Sequence, residues 1–368
     1  MRARAGHSTP VNRPHLPHSP FVRIALVLPF LAIAVVLLWW RGPDWDQVWD
    51  AFRIVRWEWV WAAVGLNLLS VVVRALAWHT VIAQAIPPPH PRFATVFSAF
   101  CVGLFANAVL PGRVGELARV AVLTRRIQER EGIWATLIGS VFAHRVFDLF
   151  PAMILVVWVL FTAKIPGWAL TSLIALACIG GVLMMVGLLS ARRHPGARVD
   201  HGLGPVRRVL TMGRYGLAVL RAPLPALLAL GCQCLGWVCQ LFAVWAAMRA
   251  FHIYEPLHAA GLVLVLMNIA TILPLWPGNV GLLQGAIALP LRQYGVTYAR
   301  GIAFGFGLQA IEASVGIAVG LIFLAREGLS FAMLRVMPEA TQVEVPAQSP
   351  TAAAAETEQE RARARVPG

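Results

Sequence analysis

The stretch Asn107-Ala-Val-Leu-Pro-Gly-Arg-Val-Gly-Glu-Leu-Ala-Arg119 is where an uncharged hydrophobic segment ends and a basic helix is predicted to begin. Residues 93–112 carry no charged side chain. Pro111 and Gly112 then stop the helix, because proline lacks an N–H group and glycine adopts dihedral angles that other residues avoid. The sequence therefore predicts a helix that is broken within the hydrophobic region.

The residues after this break favour an anion site. Arg113, Glu116 and Arg119 follow one another at intervals of three and share one helical face. A helix that restarts at membrane depth offers free backbone N–H groups, and the guanidinium fork fits phosphate. A loop followed by an interfacial amphipathic helix would account for the same residues, since Gly and Pro often interrupt membrane helices. Both interpretations stay open.

A related pattern recurs at Asn268-Ile-Ala-Thr-Ile-Leu-Pro-Leu-Trp-Pro-Gly-Asn-Val-Gly281. Residues 111–117 align without a gap on residues 277–283, sharing Pro, Gly, Val, Gly and the final Leu. Two Gly/Pro-interrupted hydrophobic segments in corresponding positions point to a transporter site between repeats. The predicted hinges at these breaks are Pro111, Gly112, Gly115, Pro277, Gly278 and Gly281.

The paired motifs resemble the lysylphosphatidylglycerol-synthase-type transmembrane region, a flippase-like domain that occurs alone or fused to soluble lipid-modifying enzymes. Its first-half pattern, Leu-Pro-x-Arg-x-Gly-Glu-x-x-Arg followed by Arg-x-x-Asp, is matched by Leu110, Pro111, Arg113, Gly115, Glu116, Arg119, Arg145 and Asp148. Its second-half Pro-Gly-x-x-Gly is matched by residues 277, 278 and 281. The resemblance covers most of residues 24–325 and implies a lipid flippase or lipid-binding transporter. Two departures are Gln284, where many members carry an acid, and Glu312, where many carry arginine.

The composition is that of a membrane protein. The chain is 58% hydrophobic and 13% charged, and several stretches exceed the roughly 18 apolar residues that cross a bilayer. The formal net charge of +14 would favour nucleic acid in a soluble protein. Here the arginines lie in loops between hydrophobic spans, where they set topology and contact anionic lipid. We therefore predict an all-α polytopic membrane protein with about seven or eight hydrophobic helices and no nucleic-acid partner.

Three parts are expected along the chain. Residues 1–23 form a basic arm that is predicted to be disordered and cytoplasmic, and residues 24–325 form the transmembrane domain. Residues 326–368 have too little apolar content for a fold and are predicted to be disordered. Such a multi-pass chain is expected in the inner (plasma) membrane, with a retained first helix at residues 24–40.

Some segments between the plain spans need separate interpretation. Residues 93–110 have basic flanks at both ends, which favours a re-entrant element or a short helix pair over a full span. Residues 281–293 are the expected counterpart. The charged residues 41–56 are interpreted as an outer loop within a belt of tryptophans, and residues 202–220 as a basic surface helix.

Ionisable residues inside hydrophobic spans are functional candidates by default. Asp148 is spaced to face both His144 and Arg145 on one helix surface, although a purely structural ion pair would explain the same spacing. Arg74, near a helix end, is explained by snorkelling to the interface. Glu312 must be protonated or paired, with Arg74, Arg119 or Arg145 as the candidate partners.

We predict an anionic-lipid site in a central cavity, with arginines as phosphate partners and acids as counter-charges. The candidate binding residues are Asn107, Arg113, Glu116, Arg119, Arg145, Asp148, Asn268, Asn279, Gln284 and Glu312. The two halves would rock around this site and change the leaflet it faces, and protonation of an acid would couple the step to the proton gradient. No cofactor, metal or nucleotide site is expected, and the five cysteines, all in hydrophobic spans, are interpreted as packing residues.

The spacing of His144 and Asp148 also occurs in a class of membrane enzymes. A membrane lipid phosphatase shares the His-x-x-x-Asp spacing of His144 and Asp148, but Leu137 and Ile138 stand where its Ser-Arg pair would be, so an enzyme is not predicted. Two rivals from other classes stay open. One is a membrane enzyme that acts on lipid-linked substrates, although the sequence offers neither a metal-binding acidic cluster nor an activated nucleophile. The other is a non-transporting accessory subunit, which would recruit a separate lipid-modifying enzyme through arginine-rich loops.

Overall fold

The computed structural model describes residues 44–110, 114–127, 133–192, 222–272 and 279–326, which are helical and contain no strand. The helices are α1 (Trp45–Arg53), α2 (Trp57–Ala85), α3 (Phe93–Val109), α4 (Gly115–Arg126), α5 (Ile133–Thr162), α6 (Gly167–Arg192), α7 (Pro223–Ala250), α8 (Leu257–Ile272), α9 (Leu282–Leu291) and α10 (Tyr298–Arg326). A short 3-10 turn, Arg292–Tyr294, follows α9.

The lengths and composition of these helices confirm an all-α membrane protein. Within the described ranges, α2, α5, α7 and α10 are long and apolar enough to cross a bilayer, while α3, α8 and part of α6 are shorter apolar helices. The total of seven or eight helices and the re-entrant character of two elements stay predictions. The first predicted helix, the predicted surface helix at residues 202–220 and both termini lie outside the described residues.

The predicted outer loop was wrong in one part, because Trp45–Arg53 forms a helix. The Asp44 carboxylate caps it, accepting hydrogen bonds from the Gln47 backbone amide at 3.4 Å and from Gln47 Nε2 at 2.9 Å. Val48 is buried whereas Trp49 is 63% exposed. The acids of this segment therefore cap and cover one face of an amphipathic helix instead of marking a loop.

Four consecutive helices of the first half recur in the second. Helices α2 to α5 begin at positions 57, 93, 115 and 133, and helices α7 to α10 begin at positions 223, 257, 282 and 298. Each helix thus begins 164 to 167 residues after its counterpart, and α6 lies between the two sets along the chain. The short sequence repeat around the two Pro-Gly breaks belongs to a repeat of four helices.

The two repeats are oppositely oriented. At one end of the α2–α7 pair, the Arg56 amide donates to the carbonyl oxygen of Ala250 at 3.0 Å, so the start of α2 lies beside the end of α7. At the other end, Val81 of α2 packs in one cluster with Ala229, near the start of α7. The pair is therefore antiparallel, and helices that occupy the same place in the repeat run in opposite directions.

Equivalent residues meet at the middle of this pair. Ser70 Oγ donates to the Gly236 carbonyl oxygen at 2.8 Å, and Arg74 Nη2 donates to Gln240 Oε1 at 2.9 Å, each pair being separated by 166 residues. Contact between equivalent residues of antiparallel helices places a pseudo-two-fold axis at this point. Because α2 and α7 are long enough to cross the membrane, an axis perpendicular to both lies in the membrane plane, which is the inverted-repeat arrangement.

The sequence break is followed by a close helix crossing. The backbones of Gly103 in α3 and Gly115 in α4 touch, and a Cβ on Gly103 would lie 2.8 Å from the Gly115 carbonyl oxygen. Asn107 Oδ1 accepts a hydrogen bond from the Gly115 amide at 2.8 Å, which satisfies a free N–H group at the start of α4. Pro111, Gly112 and Arg113, three of the predicted site and hinge residues, lie outside the described residues.

The crossing generates a prediction for Gly115→Ala. The added Cβ would collide with the carbonyl oxygen of Gly103 and with the Asn107 side chain, so α3 and α4 must separate. We expect a loss of stability of at least about 2 kcal/mol, the scale of overpacking in a tight interior, measured as a fall in the thermal unfolding temperature in detergent. Gly65→Ala in α2 is the control, because nothing lies within 4 Å of its added Cβ. Equal unfolding temperatures for the two variants would contradict the close contact between Gly103 and Gly115.

Candidate functional site

A cavity of about 610 Å³ lies between the two repeats. Helices α2 to α5 line it on one side and helices α7 to α10 on the other, with a single contribution from α6. Seven of the residues predicted for the site line this cavity: Asn107, Glu116, Arg145, Asp148, Asn268, Asn279 and Glu312. Side chains from helices far apart in sequence thus meet at one place, as a binding site between repeats requires.

A smaller pocket of about 150 Å³ adjoins the cavity. The two share several lining residues: Asn67, Val71, Leu104, Asn107, Glu116, Arg145 and Gln240. Arg74, Arg119 and His144 line only the smaller pocket, which we call the side pocket. A compact polar recess therefore opens beside a larger space that has both polar and apolar walls.

Asp148 is the most heavily used acceptor in this region. Its Oδ1 accepts from Trp237 Nε1 at 2.6 Å, from Gln233 Nε2 at 3.1 Å and from Arg74 Nη1 at 3.4 Å. Its Oδ2 accepts from Arg145 Nη1 at 3.3 Å. Both oxygens are occupied by groups from three helices, so Asp148 holds cationic and polar side chains in place.

Arg145 has two acidic partners. It pairs with Asp148 on its own helix, at the i,i+3 spacing that the sequence predicts, and with Glu116 of α4. Its side chain is nevertheless 50% exposed and faces the cavity. The structural ion pair therefore exists, and it leaves this guanidinium within reach of a ligand.

Arg74 does not snorkel, so that interpretation was wrong. Its side chain turns into the protein, where it pairs with Asp148, donates to Gln240 and lies over the Trp237 ring at 5.1 Å. Gly236 makes room for it, since a Cβ there would lie 2.8 Å from the Arg74 Cγ. A carboxylate on a neighbouring helix attracts this charge more strongly than the distant interface does.

Arg119 differs from the other two arginines. It is 5% exposed, and its guanidinium carbon lies 4.7 Å from the Trp78 ring and 5.6 Å from the Phe100 ring. Within the described part of the chain no carboxylate lies within salt-bridge distance of it, and its Nε and Nη2 atoms have no hydrogen-bond partner. Glu116 and Asp148 attract this charge only from a longer range. Because burying a charge without a direct partner is costly, an anionic ligand would stabilise Arg119 more than the two paired arginines.

His144 also lies in the side pocket, against the Phe100 ring at 6.1 Å between centroids. It is buried, and its Nδ1 atom has no hydrogen-bond partner among the described residues. The sequence spacing predicts that His144 faces Asp148, but the described hydrogen bonds of Asp148 come from other residues. Three side chains with unsatisfied nitrogen atoms, Arg74, Arg119 and His144, thus lie around one small recess.

Glu312 enters the cavity from α10. Gln240 Nε2 donates to its Oε1 at 3.4 Å, and Gln240 in turn accepts from Arg74. Among the described residues, none of the three candidate arginines lies within ion-pair distance of this carboxylate. Its expected partnership with Arg74 is therefore indirect, through the Gln240 amide.

Of the predicted binding residues in the second repeat, Asn268 and Asn279 line the cavity and Gln284 does not. Asn279 has a positive φ of 46° and donates from Nδ2 to the Ala270 carbonyl oxygen at 2.9 Å, and Asn268 donates to its own helix. Gln284 does not line the cavity in the described structure; it accepts from the Gly281 amide and donates to Gln309. Gly281 has a φ of 91°, which favours glycine. Pro277 and Gly278 lie outside the described residues, so their hinge role stays a prediction.

Several polar residues of the site were not among the predicted ones: Asn67, Gln233, Trp237, Gln240 and Gln309. A signal for some of them exists in the sequence, because positions 67, 70 and 74, and positions 233, 237 and 240, are spaced by three or four and share one helical face. These two faces occupy equivalent places in the repeats and contact each other.

The Asp148 contacts generate a prediction. Asp148→Asn removes the only described carboxylate paired with Arg74 while preserving the side-chain shape. Breaking a buried pair by removing one charge costs about 3–5 kcal/mol, so the unfolding temperature in detergent should fall clearly. Glu116→Gln is the matched control, because Arg145 keeps Asp148 as a partner there. If the unfolding temperature fell further for Glu116→Gln than for Asp148→Asn, Asp148 would not be the main partner of the buried arginines.

Comparison with known proteins agrees with the membrane-length helices described above. The family profile described as "Lysylphosphatidylglycerol synthase TM region" matches residues 22–320. A curated UPF0104 membrane protein of Pyrococcus horikoshii is 24% identical over 130 residues, which are 35% of this chain and 37% of that protein. The chain thus spans about a third of the length of that relative. No solved structure matches the chain. Because the profile covers the helices that line the cavity, the protein is a membrane protein that belongs to the family of the lysylphosphatidylglycerol synthase transmembrane region.

Proposed function

We propose that this protein binds an anionic phospholipid or polyprenyl phosphate and moves it between the two leaflets of the membrane. The observation that supports this proposal most strongly is Arg119, a buried guanidinium without an acidic partner in the described structure, at the edge of a cavity between inverted repeats. A buried ionisable residue in a membrane protein is a functional candidate by default, which favours a bound ligand over recruitment through exposed loops alone.

The side pocket is suited to a phosphate group. Its volume of about 150 Å³ admits a small oxyanion but not a whole lipid headgroup. Arg119 would supply the charge that is not neutralised, and Arg145, half exposed, would supply further donors. Arginine is well suited to this role because its donors form a planar fork that matches phosphate oxygens.

The larger cavity would receive the rest of the headgroup. Its polar walls come from Asn67, Trp237, Gln240 and Asn268, whose amide and indole groups donate and accept hydrogen bonds. Glu116 and Asp148 hold Arg145 and Arg74 and reduce the net positive charge, so that a bound anion can leave again. The acyl chains would remain in the surrounding lipid while the headgroup crosses.

The proposal is tested by leaflet exchange in proteoliposomes, with headgroup-labelled anionic and zwitterionic lipids and a membrane-impermeant quencher. We expect faster exchange of an anionic lipid with the wild-type protein and a loss of about tenfold or more with Arg119→Ala, since a hydrogen bond to a charged group contributes about 1.5–3 kcal/mol.

Arg249→Ala is the matched control. Arg249 also lies over aromatic rings, at 4.6 Å from Trp245 and 5.1 Å from Tyr254, but it does not line the cavity or the side pocket. Its removal should leave exchange of the anionic lipid unchanged. Equal losses in the two variants, or no exchange of any lipid by folded wild-type protein, would contradict the proposal and favour the accessory subunit.

A further inference from the structure

Glu312 is the acid of the cavity wall that does not hold an arginine. The other two acids, Glu116 and Asp148, each pair with Arg145. Within the described ranges Glu312 has no cation at ion-pair distance, and its carboxylate accepts a hydrogen bond from the neutral amide of Gln240 at 3.4 Å. A carboxylate at membrane depth is costly without a charged partner. Glu312 is therefore suited to receive a cationic group from a ligand.

The charges available to a ligand come from different repeats. Arg119 and Arg145 belong to α4 and α5 of the first repeat, whereas Glu312 belongs to α10 of the second. Gln240 lines both the cavity and the side pocket, accepting from Arg74 at 2.9 Å and donating to Glu312 at 3.4 Å. A single amide group thus separates this carboxylate from an arginine of the side pocket, so one compact headgroup can reach charges of both signs.

Neutral acceptors line the same cavity. An ammonium group donates three hydrogen bonds and accepts none, so a site for it needs acceptors besides one carboxylate oxygen. Asn268 donates from Nδ2 to the Leu264 carbonyl oxygen at 2.8 Å, while its own Oδ1 has no hydrogen-bond partner among the described residues. Asn67 of the first repeat supplies a second amide to the cavity. A carboxylate together with amide oxygens suits a primary amine.

We infer that the ligand is an anionic phospholipid whose headgroup also carries a primary amine, as the phosphoserine headgroup does. The phosphate would lie at Arg119 in the side pocket, and the amine would donate to Glu312 and Asn268 in the cavity. The headgroup carboxylate would lie on the side of Arg145, whose guanidinium is half exposed. Glu312 is then the residue that selects for the amine. This inference rests on the proposed lipid binding and names the chemical class of the lipid.

Phosphatidylglycerol is the informative comparison, because it has the same net charge as phosphatidylserine at neutral pH but no amine. Its hydroxyl groups can donate to Glu312 without neutralising it, and hydrogen bonds that involve an ionised donor are the stronger ones. We expect the wild-type protein in detergent to bind short-chain phosphatidylserine about tenfold more tightly than short-chain phosphatidylglycerol. Isothermal titration calorimetry measures both affinities.

Glu312→Gln tests the assigned residue. The substituted amide oxygen still accepts from Gln240, so the local contact is kept while the charge is removed. The affinity for phosphatidylserine should fall about tenfold, whereas the affinity for phosphatidylglycerol should not fall, because a negative charge beside an anion has been removed. Glu58→Gln is the matched control, since Glu58 is exposed, pairs with Arg56 and lines neither the cavity nor the side pocket. The preference for phosphatidylserine should remain in that variant.

N-acetylated phosphatidylserine separates the effect of the amine from that of the headgroup carboxylate. It keeps both acidic groups but has no cationic amine, so the wild-type protein should bind it about tenfold more weakly than phosphatidylserine. This comparison uses the wild-type protein alone and does not depend on the folding of a variant.

Three results would overturn the inference. They are equal wild-type affinities for phosphatidylserine and phosphatidylglycerol, a preference that persists unchanged in Glu312→Gln, and equal affinities for phosphatidylserine and its N-acetylated form. In each case the proposed binding of an anionic lipid still stands. Failure of the proposed function gives different results: folded wild-type protein would bind none of these lipids, or Arg119→Ala would bind all of them as tightly as the wild type does.

Discussion

The carboxylate of Asp148 is the group on which the polar interior depends. A charge at membrane depth has neither water nor salt to stabilise it, so it needs a partner from the protein. Asp148 accepts hydrogen bonds from Arg74 of α2, Arg145 of its own helix and Gln233 and Trp237 of α7. These contacts hold two arginines in place and join the first repeat to helix α7 of the second repeat. Arg119 is left outside this network, and under the proposed function its charge would be stabilised by the anionic ligand.

The fold is close to symmetric, but the charge is not. At the repeat spacing of 166, Arg74 corresponds to Gln240, Arg119 to Gly285 and Arg145 to Ile311, while Asp148 corresponds to Ser314. The first repeat therefore supplies nearly all the ionic groups, and the second supplies neutral polar groups and Glu312. Under the proposed function, the symmetric helices would allow two conformations of similar energy, and the single set of charges would form one site in both. One ligand could then be exposed first to one leaflet and then to the other.

The sequence predicts the helices better than it predicts the contacts between them. Long apolar runs place α2, α5, α7 and α10 within a few residues, because membrane helices need about 20 apolar residues whatever their neighbours are. The Arg145–Asp148 pair also follows from spacing alone. Arg74 was misassigned because its partner lies 74 residues away, and the donors Gln233 and Trp237 were missed for the same reason. Helix α1 was missed because its charged residues resemble a loop until Asp44 is seen as a cap.

The most direct measurement of the central claim is photo-crosslinking of an anionic lipid that carries a photoreactive group on its headgroup, followed by peptide mapping of the protein in nanodiscs. The account predicts labelling around the cavity, on peptides containing Asn67, Arg119 and Glu312, and loss of that labelling in Arg119→Ala. Labelling confined to lipid-facing residues such as Leu183 and Ile322, unchanged in Arg119→Ala, would contradict it.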